Sequence, residues 1–185
     1  MRYRVKGLEI RTENTAKVPA QAARGVLSFI RHLPRVRHAC DIGCGKLRYA
    51  AALASLARRL TLVDSEVQLT RAQVIHGKKT TVQDYVATHM GNCETQTISE
   101  FLSAGARFDF VLCANVLSAI PQTRARSCLL RGIRRALRPT GRCLFVTQYR
   151  NSYFKAIAGS DGAVPHLDGW LLKTAKGAFY YGLLP

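Results

Sequence analysis

The run Cys40-Asp41-Ile42-Gly43-Cys44-Gly45-Lys46-Leu47 constrains this chain more than any other stretch. It follows the short segment Val36-Arg37-His38-Ala39 and precedes residues 49–59, rich in Ala and Leu, so it reads as a strand that ends in a glycine turn and feeds a helix. Glycine at every second position lets a ligand approach bare backbone, and the acid at the strand end places a carboxylate beside it. Such a turn suits a nucleoside-type ligand carrying hydroxyls and a positive charge. Glycines here also serve plain helix–strand packing, so the turn alone leaves both readings open.

The next acid bears on that choice. Residues 60–64, Leu-Thr-Leu-Val-Asp, form a short apolar run that reads as a second buried parallel strand, joined to the first by a helix long enough for a right-handed crossover. Asp64 lies 23 positions after Asp41, close to the spacing at which a nucleotide-binding βαβ unit presents an acid to ribose hydroxyls. Ser65 caps a helix expected over 66–75, Gly77-Lys78-Lys79 breaks it, and a second helical piece follows over 82–89. A third strand is expected at 93–98 and a short helix at 99–103. Residues 108–115 form a continuous apolar strand left through Asn115, followed by a helix over 123–137 that Pro139-Thr140-Gly141 stops.

A fifth strand occupies 142–148. Residues 149–168 are too polar and broken for a long helix, and 169–174 with 178–183 read as a β-hairpin turning at 175–177. Upstream, residues 1–14 are basic, forming a short strand over 3–10 or an arm, and 16–33 carry apolar positions at helical spacing up to Pro34. The chain of 185 residues is therefore read as one domain, with an arm and leading helix over 1–34 and an alternating βα core over 35–185.

Charge is the compositional anomaly: 28 Lys+Arg stand against 11 Asp+Glu, a net charge of +17. The resulting positive field attracts phosphate backbones, which makes nucleic acid a possible partner, although the arginines are spread along the chain and base-stacking aromatics are not interleaved with them. The six cysteines form no CxxC pair and have no histidines at zinc-ligand spacing, so no metal site is expected and Cys40, Cys113 and Cys143 read as small buried hydrophobes. No apolar run approaches the ~18 residues of a membrane span, and the charged N-terminus has no apolar stretch behind it, so neither membrane nor secretion is expected and a cytoplasmic location is.

Four motifs, DIGCG at 41–45, LVDS at 62–65, FDFVLCANVLSAIP at 108–121 and LRPTGRCLFV at 137–146, occur in the order and spacing of one family. The chain resembles the class I, Rossmann-like S-adenosylmethionine-dependent methyltransferases over about residues 15–183. The resemblance implies an α/β fold with a doubly wound, mostly parallel sheet of seven strands in the order 3-2-1-4-5-7-6, closed by a C-terminal antiparallel hairpin. It implies S-adenosylmethionine as cofactor, with Asp41, Gly43 and Gly45 around its amino-acid end and Asp64 accepting from the ribose hydroxyls. Ser65 would lie beside the adenine edge, Ile98 and Ser99 would flank the ring, and Asn115 and Val116 would sit near the methyl group.

Leu117, Tyr149 and His166 are the substrate-side candidates, with Arg150 beside Tyr149. No catalytic residue is named, because an already activated methyl asks only that a nucleophile be held in line with it. The chain departs from the family in having Leu47 at the place of a frequent third glycine and Ser118-Ala119 where many small-molecule members have an aromatic or His pair. It also lacks the Asn/Asp-Pro-Pro-Tyr/Phe pattern of base amino-methylation. NVLSAIP resembles the small-molecule branch, so a small molecule or protein acceptor is expected. The alternatives are an RNA or DNA methyltransferase using the basic surface and a non-catalytic protein that keeps the fold. Leu47 and Asp41 argue against a pyrophosphate cradle of the dehydrogenase kind.

Overall fold

The computed structural model describes residues 2–149, 152–174 and 177–183. In chain order the strands and helices are β1 (Arg2–Val5), β2 (Leu8–Arg11), α1 (Arg24–Arg31), β3 (Val36–Ile42), α2 (Ala50–Leu56), β4 (Ala57–Asp64), α3 (Glu66–Thr70), β5 (Gln73–Ile75), β6 (Lys78–Thr80), α4 (Val82–His89), β7 (Cys93–Thr97), α5 (Ile98–Ser103), β8 (Phe108–Ala114), α6 (Thr123–Ala136), β9 (Leu137–Val146), α7 (Ser152–Ala158), β10 (Val164–His166), β11 (Gly169–Thr174) and β12 (Gly177–Gly182). Single 3-10 turns occupy Thr12–Thr15, Pro19–Gln21 and Leu117–Ala119.

The central sheet is parallel throughout and runs β7-β4-β3-β8-β9. Its inner strands are apolar on both faces because helices cover both. On one side Leu62, Phe110 and Leu112 pack with Ile30 of α1, Leu53 of α2 and Val86 of α4. On the other, Cys40, Ile42, Val63 and Val111 pack with Phe101 of α5 and Leu129 and Ile133 of α6. This alternation along each strand is the doubly wound arrangement. It brings the C-terminal ends of β3, β4 and β8 together at one rim, where ligands of open α/β sheets bind.

The order of these five strands is 3-2-1-4-5, and among the described residues the sheet has these five strands rather than the expected seven. The terminal hairpin is antiparallel as read, with Leu171 opposite Tyr180, yet it belongs to a second sheet of order β1-β2-β12-β11-β10. The reason lies in the first residues of the chain. β1 and β2 close a hairpin through Lys6 and Gly7, both at positive φ, and Ile10 of β2 pairs with Ala178 of β12. Ile10, Leu171, Ala178 and Tyr180 then bury one another in a cluster of their own. On the other side β9, the edge of the central sheet, carries Pro139 and an irregular register opposite Phe108 and Phe110.

Other boundaries moved for local reasons. The helix expected over 16–33 survives only as Arg24–Arg31, because Pro19 cannot continue a preceding turn and holds Val18 extended at φ −84° and ψ 163°. The helix expected over 66–75 stops at Thr70. Residues 73–80 instead form a hairpin, whose turn places His76 and Gly77 at φ 46° and 79°, the conformation a two-residue hairpin demands. α2 ends at Leu56, where the Asn92 amide donates to the carbonyls of Ala54 and Ala57 at 3.0 and 3.1 Å and so satisfies the helix end. Within 149–168 the chain forms α7 and β10. Among the described residues no helix is long and apolar enough to cross a membrane.

Candidate active site

The glycine turn is held by the strand beside it. Gly43 and Cys44 both donate backbone N–H groups to the Val63 carbonyl, at 2.8 and 3.1 Å. Asp64 then fixes the second half of the turn: its Oδ2 accepts from Gly45 N at 2.9 Å and its Oδ1 from Ser65 N at 2.7 Å. Gln68, fully buried on α3, donates Nε2 to the Gly45 carbonyl at 2.7 Å and accepts from Arg71 Nη2 at 2.7 Å. The other contact of that Arg71 nitrogen is the Glu13 carbonyl at 2.8 Å, which ties the N-terminal segment to the site. Ser65 Oγ caps α3 by accepting from Gln68 N.

Positions 43, 45, 47 and 115 all adopt positive φ, at 73°, 57°, 63° and 62°. At Gly43 the need for glycine is doubled, since a Cβ there would overlap the Val116 side chain. Gly43→Ala is expected to destabilise the protein by about 2–4 kcal/mol, the sum of left-handed strain and overpacking, read as a lower urea midpoint at unchanged slope. Leu47 tolerates its left-handed backbone because its side chain is buried in the core beside Leu53. Asn115 takes the same conformation at the end of β8, with its N–H on the Val146 carbonyl at 2.7 Å.

These residues open on a cavity of about 570 Å³. Asp41, Gly43, Gly45, Asp64, Ser65, Ile98, Asn115 and Val116 all line it. The other four candidates do not. Ser99 sits in the first turn of α5, near Thr97 Oγ1; Leu117 is buried in the core; Tyr149 projects into solvent, 70% exposed. His166 turns its Nε2 to the Pro121 carbonyl at 2.7 Å and its ring edge to Tyr180, so it braces β10 rather than facing the cavity. Arg150 lies outside the described residues.

The sequence reading missed the rest of the wall. Thr12–Lys17 and Gln21 close one side, and Phe179–Tyr181 of β12 close another, with Tyr181 Oη donating to Gln148 Oε1 at 2.9 Å. Gln68, Arg48 and Tyr49 complete the lining around the turn. Arg48, Tyr49 and Gln68 follow the glycine turn and Ser65 directly, whereas the segments at Thr12–Lys17 and Phe179–Tyr181 carry no local motif and reach the cavity through the pairing of β2 with β12.

The two acids differ in their surroundings. Burial pushes the Asp41 carboxyl up to about 7, the Asp64 charge adds to the rise, and Arg48 opposes it. No hydrogen bond from a described residue reaches the Asp41 carboxylate, which lies buried on the cavity wall. Asp64 is also raised by burial, against the pull of the Gly45 and Ser65 N–H groups. Its Oδ1 also accepts from the Ser65 hydroxyl at 3.4 Å, so the lone pair left open is on Oδ2, which holds only the Gly45 N–H among the described residues.

A family model described as a methyltransferase domain matches residues 40–143. The uncharacterized protein YmfD of Escherichia coli (strain K12) is 39% identical over 184 residues, covering 100% of this chain and 82% of YmfD. The chain belongs to the class I S-adenosylmethionine-dependent methyltransferase family. This methyltransferase is also 26% identical over 125 residues to a ubiquinone biosynthesis O-methyltransferase of Xanthomonas oryzae pv. oryzae (strain PXO99A), over 65% of this chain and 48% of that one. It thus spans about half of that relative. The Burkholderia thailandensis 1,6-didemethyltoxoflavin-N1-methyltransferase, solved with 1,6-didemethyltoxoflavin and S-adenosylhomocysteine, shares the fold at a TM-score of 0.56 and 20% identity, over 86% of this chain and 60% of that one. The residues present fit the family's cofactor: an undonated buried carboxylate at Asp41, a free lone pair on Asp64 Oδ2, and glycine backbone lining the cavity between them.

Proposed function

We propose that this methyltransferase acts on a small-molecule acceptor inside the cavity, with Asp41, Gly43 and Gly45 at the amino-acid end of the cofactor and Asp64 on its ribose. S-adenosylmethionine, when bound, supplies its methyl group on a sulfonium centre. The protein's part is to hold donor and acceptor in line and to exclude water. Asp41, ionised, accepts from the ammonium and balances positive charge that burial would otherwise disfavour. Asp64 accepts from one hydroxyl with the Oδ2 lone pair that Gly45 leaves, and from the second at Oδ1 in place of the long 3.4 Å bond from Ser65 Oγ. Ile98 gives the adenine an apolar flank, and Ser65 lies at its edge.

The observation that carries the small-molecule reading is that two segments beyond the central sheet wall the cavity. The N-terminal segment at Thr12–Lys17 and the β12 aromatics at Phe179–Tyr181 both wall it, leaving a chamber of about 570 Å³, within the ordinary range for small ligands. Asn115, Ser118, Gln148 and Tyr181 are the polar groups on the acceptor side. Tyr180 lies beside them, but its hydroxyl donates to Asp168 at 2.6 Å and receives Arg126 Nη2 at 3.2 Å, so its task is to seat β12. The names of two similar proteins, a ubiquinone biosynthesis O-methyltransferase and a 1,6-didemethyltoxoflavin-N1-methyltransferase, support the same acceptor class.

Incubation with methyl-labelled S-adenosylmethionine and cell extract split into metabolites, protein, RNA and DNA tests the reading. Label is expected in the metabolite fraction; label confined to RNA or DNA would replace the acceptor class. Tyr181→Phe, which opens the Gln148 wall, is expected to raise the acceptor KM about threefold to tenfold with a smaller change in kcat.

A further inference from the structure

The positive charge is not distributed evenly around the sheet. Because every strand of the central sheet is parallel, the N-terminal ends of the strands share the rim opposite the cofactor cavity. Arg35, Arg37 and Arg58 stand there, exposed, at the beginnings of β3 and β4. α6 returns its C-terminus to the same rim, with Arg134 and Arg135 in its last turn.

Between α6 and the start of β9 lies a shallow, open groove lined by Arg107, Arg131, Arg134, Arg135 and Arg138 together with Cys128, Leu137, Pro139 and Gly141. Some of this charge is structural. Arg107 donates to the Arg135 carbonyl, Arg135 donates to the Leu102 carbonyl at 3.1 Å, and Arg138 pairs with Asp109 at 3.0 Å. The acids at this end are thereby occupied: Asp109 by Arg138 and by the backbone N–H groups of Arg37 and His38, Glu94 by Arg59 at 2.6 Å. Arg131 and Arg134 are exposed and have no hydrogen bond or ion pair from a described residue.

A helix C-terminus gains from one or two cations, and such pairing explains Arg135. It does not explain why Arg107, Arg131, Arg134 and Arg135 gather in one groove beside the Asp109-paired Arg138, where the four with no acidic partner among the described residues repel one another until a further anion arrives. The guanidinium fork matches phosphate oxygens in pairs, and a concave strip of forks fits a chain of phosphates better than a flat bilayer surface. We infer that this groove binds the phosphate backbone of a nucleic acid strand, without reading bases, at the end of the molecule opposite the methyl-transfer cavity. The basic charge then serves docking and leaves the cavity to its small acceptor.

The test is fluorescence anisotropy with a labelled single-stranded RNA of about 20 nucleotides across about 50–200 mM salt, where four phosphate contacts give a log–log slope of about −2.8. Arg131→Gln/Arg134→Gln is expected to weaken binding at least about tenfold at the low-salt end and to flatten the slope by about 1.4. Arg24→Gln/Arg124→Gln removes the same charge from the N-terminal ends of α1 and α6, at the other rim, and is expected to keep that slope. Calorimetry with S-adenosylmethionine should be identical for the groove variant and the parent, which separates this inference from the cofactor reading. Equal losses in the two double variants, an unaltered groove variant, or binding of the parent to anionic vesicles but not to RNA would each overturn it.

Discussion

Asp64→Ala is expected to weaken S-adenosylmethionine binding by at least about tenfold and to destabilise the protein without ligand by about 2–4 kcal/mol. Both effects follow from one side chain holding two tasks. Its Oδ2 and Oδ1 accept from Gly45 N and Ser65 N at 2.9 and 2.7 Å, so truncation leaves two partly buried N–H groups without an acceptor. The cofactor ribose would lose its acceptor in the same step. Calorimetric titration reads the first effect and urea denaturation the second. An unchanged dissociation constant would show that Asp64 only braces the turn, and an unchanged urea midpoint that the turn holds without it.

Asp41→Asn is expected to do the opposite to stability while still harming binding. The Asp41 carboxyl titrates at about 7 in the folded chain against 3.8 ordinarily, and burial is the main cause. Below pH about 4 the carboxyl is protonated in both folded and unfolded states, and folding loses nothing to it. As pH rises towards 7 the unfolded chain releases the proton and the folded one keeps it, so the stability of the unliganded protein falls, by up to about 4 kcal/mol well above pH 7. Asparagine has no proton to lose. The variant should therefore be more stable than the parent at pH 8, the two converging near pH 4, as followed by urea midpoints across that range. Its affinity for the cofactor should fall at least about tenfold at pH 8, because the ammonium loses a charged acceptor. In the parent, affinity should rise between pH 6 and 8 as Asp41 ionises. A variant less stable than the parent at pH 8 would place the burial cost of Asp41 elsewhere.

The sequence made the parallel core readable because its signals are local. The apolar run of β8, the acid at the end of β4 and the alternating glycines of 41–45 each demand one conformation, and strand and turn formed where the pattern put them. Helix ends were less legible, since Asn92 reaching across to Ala54 and Ala57 or Pro19 interrupting the leading segment outweighs periodicity. The second sheet was hidden for a different reason. Residues 2–11 meet the terminal hairpin through a pairing almost the full length of the chain apart, and no property of Ile10 or Ala178 taken alone announces it. The same pairing carries Phe179–Tyr181 and the Thr12–Lys17 turn to the cavity, which is why half of the wall went unread while its floor, from Asp41 to Ser65, was plain. His166 and Tyr149 looked available in sequence, but one is spent on the Pro121 carbonyl and the other points to water.

The most direct test of the account is isothermal calorimetry of the purified chain with S-adenosylmethionine at pH 8, beside Asp64→Ala and Asp41→Asn. One site per chain is expected, with a micromolar dissociation constant, about −7 to −8 kcal/mol, weakened at least about tenfold in each variant. A folded parent protein giving no binding heat up to about 1 mM S-adenosylmethionine, above about −4 kcal/mol, would contradict it.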